Sequence, residues 1–164
     1  MCKRVLIPTD FSGHSLMLIQ TAIDEHPNES LDIILAFGFK LALSTSDLLF
    51  YSRSKMMKSL IPAAFQEAVQ AMRKESKTRI NSIQIEPFYG TTDRAIGSFL
   101  EGNRIDEIYI YKNYQSHYGH TGGFDITPLI AKMDKVHKIP FFGYISEGEY
   151  KGSFAESCLS KVFG

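Results

Sequence analysis

Asp10, Ser12 and His14 lie within five residues of one another in "RVLIPTDFSGHS" (4–15), directly behind an apolar run. In an open α/β sheet ligands bind outside the carboxyl ends of the strands, so a carboxylate, a hydroxyl and an imidazole there form a candidate binding set. The same residues can also turn the chain and cap the next helix, with Asp10 in the turn and Ser12 ahead of a helix opening near Gly13. Both readings stand on the sequence alone. A second polar group occupies "YKNYQSHYGHTGGFDITPLIAKM" (111–133), where His117 and His120 sit among glycines. If the runs preceding the two groups are neighbouring strands, these histidines share a crevice with Asp10 and His14. Two imidazoles and a carboxylate can hold a metal, and histidines among glycines can hold an anion. His-x-x-His on a glycine-rich loop is a weak motif, and no metal is expected. Nucleophilic catalysis lacks its parts: no Gly-x-Ser-x-Gly elbow occurs and neither cysteine follows a strand end. Tyr109, Tyr111, Tyr114 and Tyr118 read as packing or loop-filling rings, and Gly90-Thr91-Thr92-Asp93 as a glycine turn with a helix cap. The chain is therefore not expected to be an enzyme.

Five apolar runs can position these groups: 4–8, 31–39, 82–88, 105–111 and 139–145. The first two are almost continuously apolar, as strands buried on both faces are. Helical spacing lies between them. Leu16, Ile19, Ala22, Ile23 and His26 share one face; Leu60, Ile61, Ala64, Phe65, Ala68, Val69 and Met72 form a longer stripe. Ala95, Ile96, Phe99 and Leu100 make a third. Ile126, Leu129, Ile130, Met133 and Val136 make a fourth, opened by Thr127-Pro128 as cap and first turn. Strand alternating with helix implies a parallel sheet with right-handed crossovers. A long insertion, 40–59, separates the second strand from its helix, with Pro62 as a kink or a fresh start. An α/β domain over 1–146 is expected, followed by a tail, 147–164, that packs on the domain or on a partner.

Bulk properties exclude several classes. The 164 residues hold 18 basic and 18 acidic side chains, for a formal net charge of zero. That balance gives no electrostatic footprint for nucleic acid or an anionic membrane. Cys2 and Cys158 make neither a disulfide framework nor a metal spacing, which suits a reducing cytoplasm. No signal-peptide core follows Lys3-Arg4, and the most apolar region, 33–43, is interrupted by Lys40 and is too short to span a bilayer.

The sequence resembles the universal stress protein family. "KRVLIPTDFSGHS" is similar to that family's first strand and turn, with its aspartate after a Pro-Thr pair. "YGTTDRAIGSFLEGNRIDEIYIY" is similar to a later pattern in which Gly90, Ile96 and Asp106-Glu107-Ile108 take the glycine, helix isoleucine and strand-entry places. "KIPFFGYI" matches the last strand with its preceding proline, Pro140. The likeness spans residues 3–145, by element order more than by identity. It implies an open, doubly wound, five-stranded parallel sheet of order 3-2-1-4-5, with helices on both faces, in a homodimer. It also implies a nucleotide site, because some members bind ATP: Asp10 near the nucleoside, Ala36-Phe37 at the adenine, and Lys112, Gly119, Gly122 and Thr127 around the phosphates. The ATP-binding signature runs Gly, two residues, Gly, nine residues, then Gly-Ser or Gly-Thr. Gly119 and Gly122 keep the first spacing, but Lys132-Met133 stand where the second glycine and hydroxyl belong. Pro128 removes an amide at the helix entry, and Tyr111-Lys112-Asn113 replace small residues. The expected protein is thus a cytoplasmic, dimeric binding or regulatory module in the stress response, its nucleotide site degenerate and no cofactor required. The alternatives are an ATP binder with slow hydrolysis and a small enzyme on a related α/β domain. A protein or small-molecule ligand of unknown identity completes the expectation.

Overall fold

The computed structural model describes residues 2–41, 44–119 and 122–141. Its strands are β1 (Cys2–Pro8), β2 (Ser30–Phe39), β3 (Ile80–Phe88), β4 (Glu107–Lys112), β5 (Gly123–Phe124) and β6 (Val136–Pro140). Its helices are α1 (Gly13–Glu25), α2 (Thr45–Leu49), α3 (Arg53–Leu60), α4 (Ala63–Glu75), α5 (Asp93–Gly102) and α6 (Thr127–Ile130). Five strands form a parallel sheet in the order β3-β2-β1-β4-β6, and β5 pairs with β2 off that path. This is the order the resemblance implies, with one extra short strand.

Buried strands explain the continuous apolar runs. Val5, Leu6 and Ile7 are fully buried, and they serve opposite faces. Val5 and Ile7 join α1 and α4 in one core through Leu16, Ile19, Ala22, Phe65, Ala68 and Met72. Leu6 joins Ile96 of α5 and Ile130 of α6 in the other. Helices thus cover both faces, as parallel sheets require. Arg79 closes the end of α1 by donating from Nη2 to the carbonyls of Ile23 and His26, each at 2.7 Å.

Three expectations need correction. The stripe from Leu60 to Met72 is not one helix: α3 ends at Leu60, Ile61 turns extended, and Pro62, in the fresh start that is one of its two expected roles, serves as N-cap of α4. The fourth helical stripe is one turn, α6, and Val136 opens a strand instead; Lys135, at φ 61°, turns the chain into β6. The last described strand opens at Val136, ahead of the expected start at Ile139, and runs to Pro140; residues 142–145 of the expected strand and the tail 147–164 lie outside the described residues. His137 and Lys138 hide β6 from a pattern search because an edge strand keeps part of its surface in water.

Candidate functional site

β1 pairs with β2 on one side and β4 on the other, so the switch point opens between β1 and β4. At its carboxyl end the chain turns through Phe11, which takes a left-handed φ of 64°. Its amide donates to Thr9 Oγ1 at 3.0 Å, and its ring meets Phe37 and Phe65 edge-on at 4.9 and 5.6 Å. Burying that ring offsets a backbone cost on the order of 1 kcal/mol. The turn leaves Asp10 facing the crevice.

Asp10 is 9% exposed, and four donors of its own chain occupy its carboxylate. Oδ1 accepts from the Ser12 amide at 3.1 Å and the Ser12 hydroxyl at 2.5 Å. Oδ2 accepts from the Tyr114 hydroxyl at 2.5 Å and the His117 amide at 3.0 Å. Ser12 holds the N-cap position of α1, as expected, but its side chain makes no cap bond; the nearby carboxylate takes its hydroxyl instead. Asn113, at φ 58°, sends the chain back over β1 and so delivers Tyr114. Tyr118 adds a second tie, donating to the Thr9 carbonyl at 2.9 Å, and Tyr111 a third, to the His14 carbonyl at 2.9 Å. The rings of His14, Tyr111, Tyr114 and Phe141 then pack edge to face, with centroids 4.9–5.3 Å apart for the closest pairs. The remaining cavity, lined by Asp10, His14, Tyr111, Tyr114 and Thr127 among others, measures about 10 Å³. That is room for about one water. Burial lowers the pKa of His14 against the opposing charge of Asp10, so the neutral ring is favoured. Burial, with the charges of Asp125 and Asp10, raises that of Tyr118 and keeps it a donor.

The expected site residues divide accordingly. Asp10 and Thr127 line the same small cavity. Ala36 and Phe37 are fully buried, the first receiving the Thr9 amide on its carbonyl at 2.8 Å. Lys112 ends β4 exposed to solvent, and Gly119 has open space around it. Gly122, at φ 96°, accepts from the Lys40 amide at 2.8 Å and leads into β5. β5 runs antiparallel to the end of β2, pairing Gly38 with Phe124 and Phe39 with Gly123. A Cβ on Gly38 would lie 2.5 Å from the Phe124 carbonyl and 2.7 Å from its ring, so only glycine admits this return. Thr127 is the first helical residue rather than the cap, and its amide donates to Asp125 Oδ1 at 2.9 Å. Thr92 does cap α5, accepting from the Ala95 amide at 3.1 Å. His117 contributes its backbone to Asp10, and His120 lies outside the described residues. Among the described residues no group of three or more His, Cys, Asp or Glu is arranged to hold a metal.

A second polar cluster, which no local spacing in the sequence announces, closes the amino end of the sheet. Glu107 accepts from Lys3 Nζ at 2.7 Å and bonds His26 Nε2 at 2.9 Å, and His137 Nε2 lies 3.0 Å from its carboxylate. Tyr109 donates to Glu25 at 2.6 Å, and its ring stacks on His137 with centroids 4.5 Å apart. Burial pushes the Glu107 carboxyl up, but hydrogen bonds from Lys3 and His26 and their charges outweigh it, and its pKa falls. The Glu107 hydrogen bond raises that of Lys3. Burial and then Glu25 raise that of Tyr109. A cleft of about 550 Å³, lined by Lys3, Glu29, Glu107 and His137 among others, opens beside this cluster.

An open parallel sheet with this strand order, with its switch point between β1 and β4, defines an α/β protein of the universal stress protein fold. Among solved structures, the chain is similar to universal stress protein UspA from Lactobacillus plantarum, at 14% identity and a TM-score of 0.51, over 85% of this chain and 95% of that one. It is also similar to hypothetical protein MJ0577, at 18% identity and a TM-score of 0.51, over 87% of this chain and 98% of that one. At these identities the likeness is one of fold. No protein-family model matches the sequence, and no curated protein matches it. No helix among the described residues is long and apolar enough to cross a membrane.

Proposed function

We propose that this protein is a binding or regulatory module on the universal stress protein fold, with a degenerate nucleotide site, acting in the cytoplasm as a homodimer. The occupation of the switch-point crevice by the chain itself carries the reading. Asp10 commits its acceptor capacity to Ser12, Tyr114 and His117. Phe124 lies against the end of β2, where the resemblance would put adenine. Triphosphate affinity needs several well-aimed donors from a glycine loop and a helix entry. Here the glycine segment pairs with β2, and Pro128 removes an amide from the entry of α6. Dimerisation is supported by β6, the last strand of the sheet among the described residues, since an edge strand can pair with a second copy. The free, exposed thiol of Cys2 suits a reducing compartment.

Calorimetric titration with Mg-ATP tests the nucleotide half of this reading. The expected result is no saturable heat. Binding with a dissociation constant of about 10 μM or tighter, lost in both Asp10→Ala and Gly122→Val, would establish the ATP binder instead. Light scattering at micromolar concentration tests the other half, and a monomer mass there removes the homodimer.

A further inference from the structure

The large hydrophobic side chains exposed among the described residues are Leu41, Leu49, Phe50 and Tyr89. Leu41 follows the end of β2 and Tyr89 the end of β3, while Leu49 ends α2 and Phe50 comes directly after it. The Tyr51 and Tyr89 hydroxyls, 2.8 Å apart, pin the insertion to the end of β3. Arg53 makes a second tie, to Glu86. Beyond these ties the two neighbouring side chains stand clear of the described residues: Leu49 is 80% exposed and Phe50 is 85% exposed. Adjacent leucine and phenylalanine held out in water call for a covering surface.

The charges around them indicate which surface. Residues 40–59 hold four basic side chains, Lys40, Arg53, Lys55 and Lys58, against the single acid Asp47, in a chain whose total charge is zero. Lys55 and Lys58 lie one turn apart on α3, both exposed, and neither has a described carboxylate within ion-pair distance. The neutral total therefore conceals a local excess of positive charge beside the apolar pair. A second copy is a poor occupant, because a two-fold contact here would bring two identical lysine-bearing segments together. Peptide helices dock by laying an apolar face in a groove, whereas Leu49 and Phe50 form a projection. A projecting apolar pair flanked by lysines fits a bilayer interface, where the rings and branched chains enter the headgroup boundary and the ammonium groups meet lipid phosphates.

We propose that the α2–α3 segment, with Leu49 and Phe50 inserted and Lys55 and Lys58 on the headgroups, docks this protein on an anionic bilayer surface. The contact is peripheral and reversible, and independent of the crevice. Flotation with vesicles of phosphatidylglycerol and phosphatidylcholine, compared with phosphatidylcholine alone, tests it. Partition should be at least about tenfold greater on the anionic vesicles, and it should fall at higher salt. Leu49→Ser with Phe50→Ser, and separately Lys55→Gln with Lys58→Gln, should each lower it about tenfold or more. Because the chain has no tryptophan, Phe50→Trp gives a single reporter, whose emission should shift to the blue on anionic vesicles. Equal partition on both vesicle types, partition unchanged in both double variants, or water-like emission from that single indole would overturn the proposal. A concentration-dependent dimer lost on changing Leu49 and Phe50, without vesicle binding, would assign the patch to self-association and overturn it as well.

Discussion

Two carboxylates sit at opposite ends of the same pair of strands, each surrounded by a tyrosine and histidines, and they are satisfied in opposite ways. At the carboxyl end, Asp10 is held by hydroxyls and backbone amides, all neutral donors. At the amino end, Glu107 is held by an ammonium and two imidazoles. The neutral shell belongs to loops, and among the described residues a cavity of about 10 Å³ lies against it. The shell around Glu107 belongs to β1, the end of α1 and β6, and an open cleft of about 550 Å³ lies beside it. In this fold the carboxyl end is the usual place for a ligand. Here the described carboxylate at that end is bonded by its own chain, and a second polar cluster gathers at the other. Position in a fold marks where a site can form; the partners of each polar atom decide whether there is one.

Removing Glu107 should have the largest effect on that contrast. Glu107→Ala strips the acceptor from Lys3, His26 and His137 together and should cost about 3 kcal/mol in urea denaturation at neutral pH. Its carboxyl pKa is lower in the folded protein than its usual 4.5. Its contribution is therefore complete above that value and disappears as pH falls through the lowered pKa. The variant should accordingly show a flatter acid limb than the wild type.

Asp10→Ala should cost less, about 2 kcal/mol, because its orphaned donors are neutral and lie close to solvent. Tyr114→Phe removes one of the four donors and should cost about 1 kcal/mol. Neither change should create Mg-ATP binding, since Phe124 still covers the end of β2. An Asp10→Ala loss as large as that of Glu107→Ala would erase the distinction between the two shells.

The smallest effect should come from His14, whose folded pKa lies below its usual 6.5. As pH falls below that value the unfolded chain takes up the proton first, and stability declines until the folded ring also titrates. His14→Phe keeps a ring against Tyr114 and Phe141 but has nothing to protonate. Its stability should change less than that of the wild type between about pH 7 and pH 5 in paired thermal melts.

The sequence displays the sheet better than the site. Val5 to Ile7 and Ile33 to Phe37 announce buried strands because both faces of a central parallel strand need apolar residues. The stripe through Phe65, Ala68, Val69 and Met72 announces α4 because one face of a helix must be buried. β5 has only Gly123 and Phe124, too few for any period, and it exists because Gly38 lets Phe124 approach. The apolar run 139–145 misplaces β6 because His137 commits its ring to Glu107 and Tyr109 and so breaks the pattern. Asp10 is visible as a polar residue at a strand end. Tyr114 is not, since its bond to Asp10 joins residues 104 apart and depends on the left-handed turn at Asn113. The Glu107 cluster draws residues 3, 26, 107 and 137 from four separate elements, and no local spacing reports that.

The return of β5 onto Gly38 has a consequence for the protein's standing in the cell. A protein that leaves its crevice for a small molecule gains stability by mass action, so its melting point and turnover rise and fall with the supply of that molecule. Phe124 is joined to the chain, and its local concentration at Gly38 is set by the intervening residues. Starvation cannot dilute it, and abundance cannot saturate it. On the proposed reading of this crevice, the lifetime of the folded chain is uncoupled, at this end of the sheet, from the metabolic state around it.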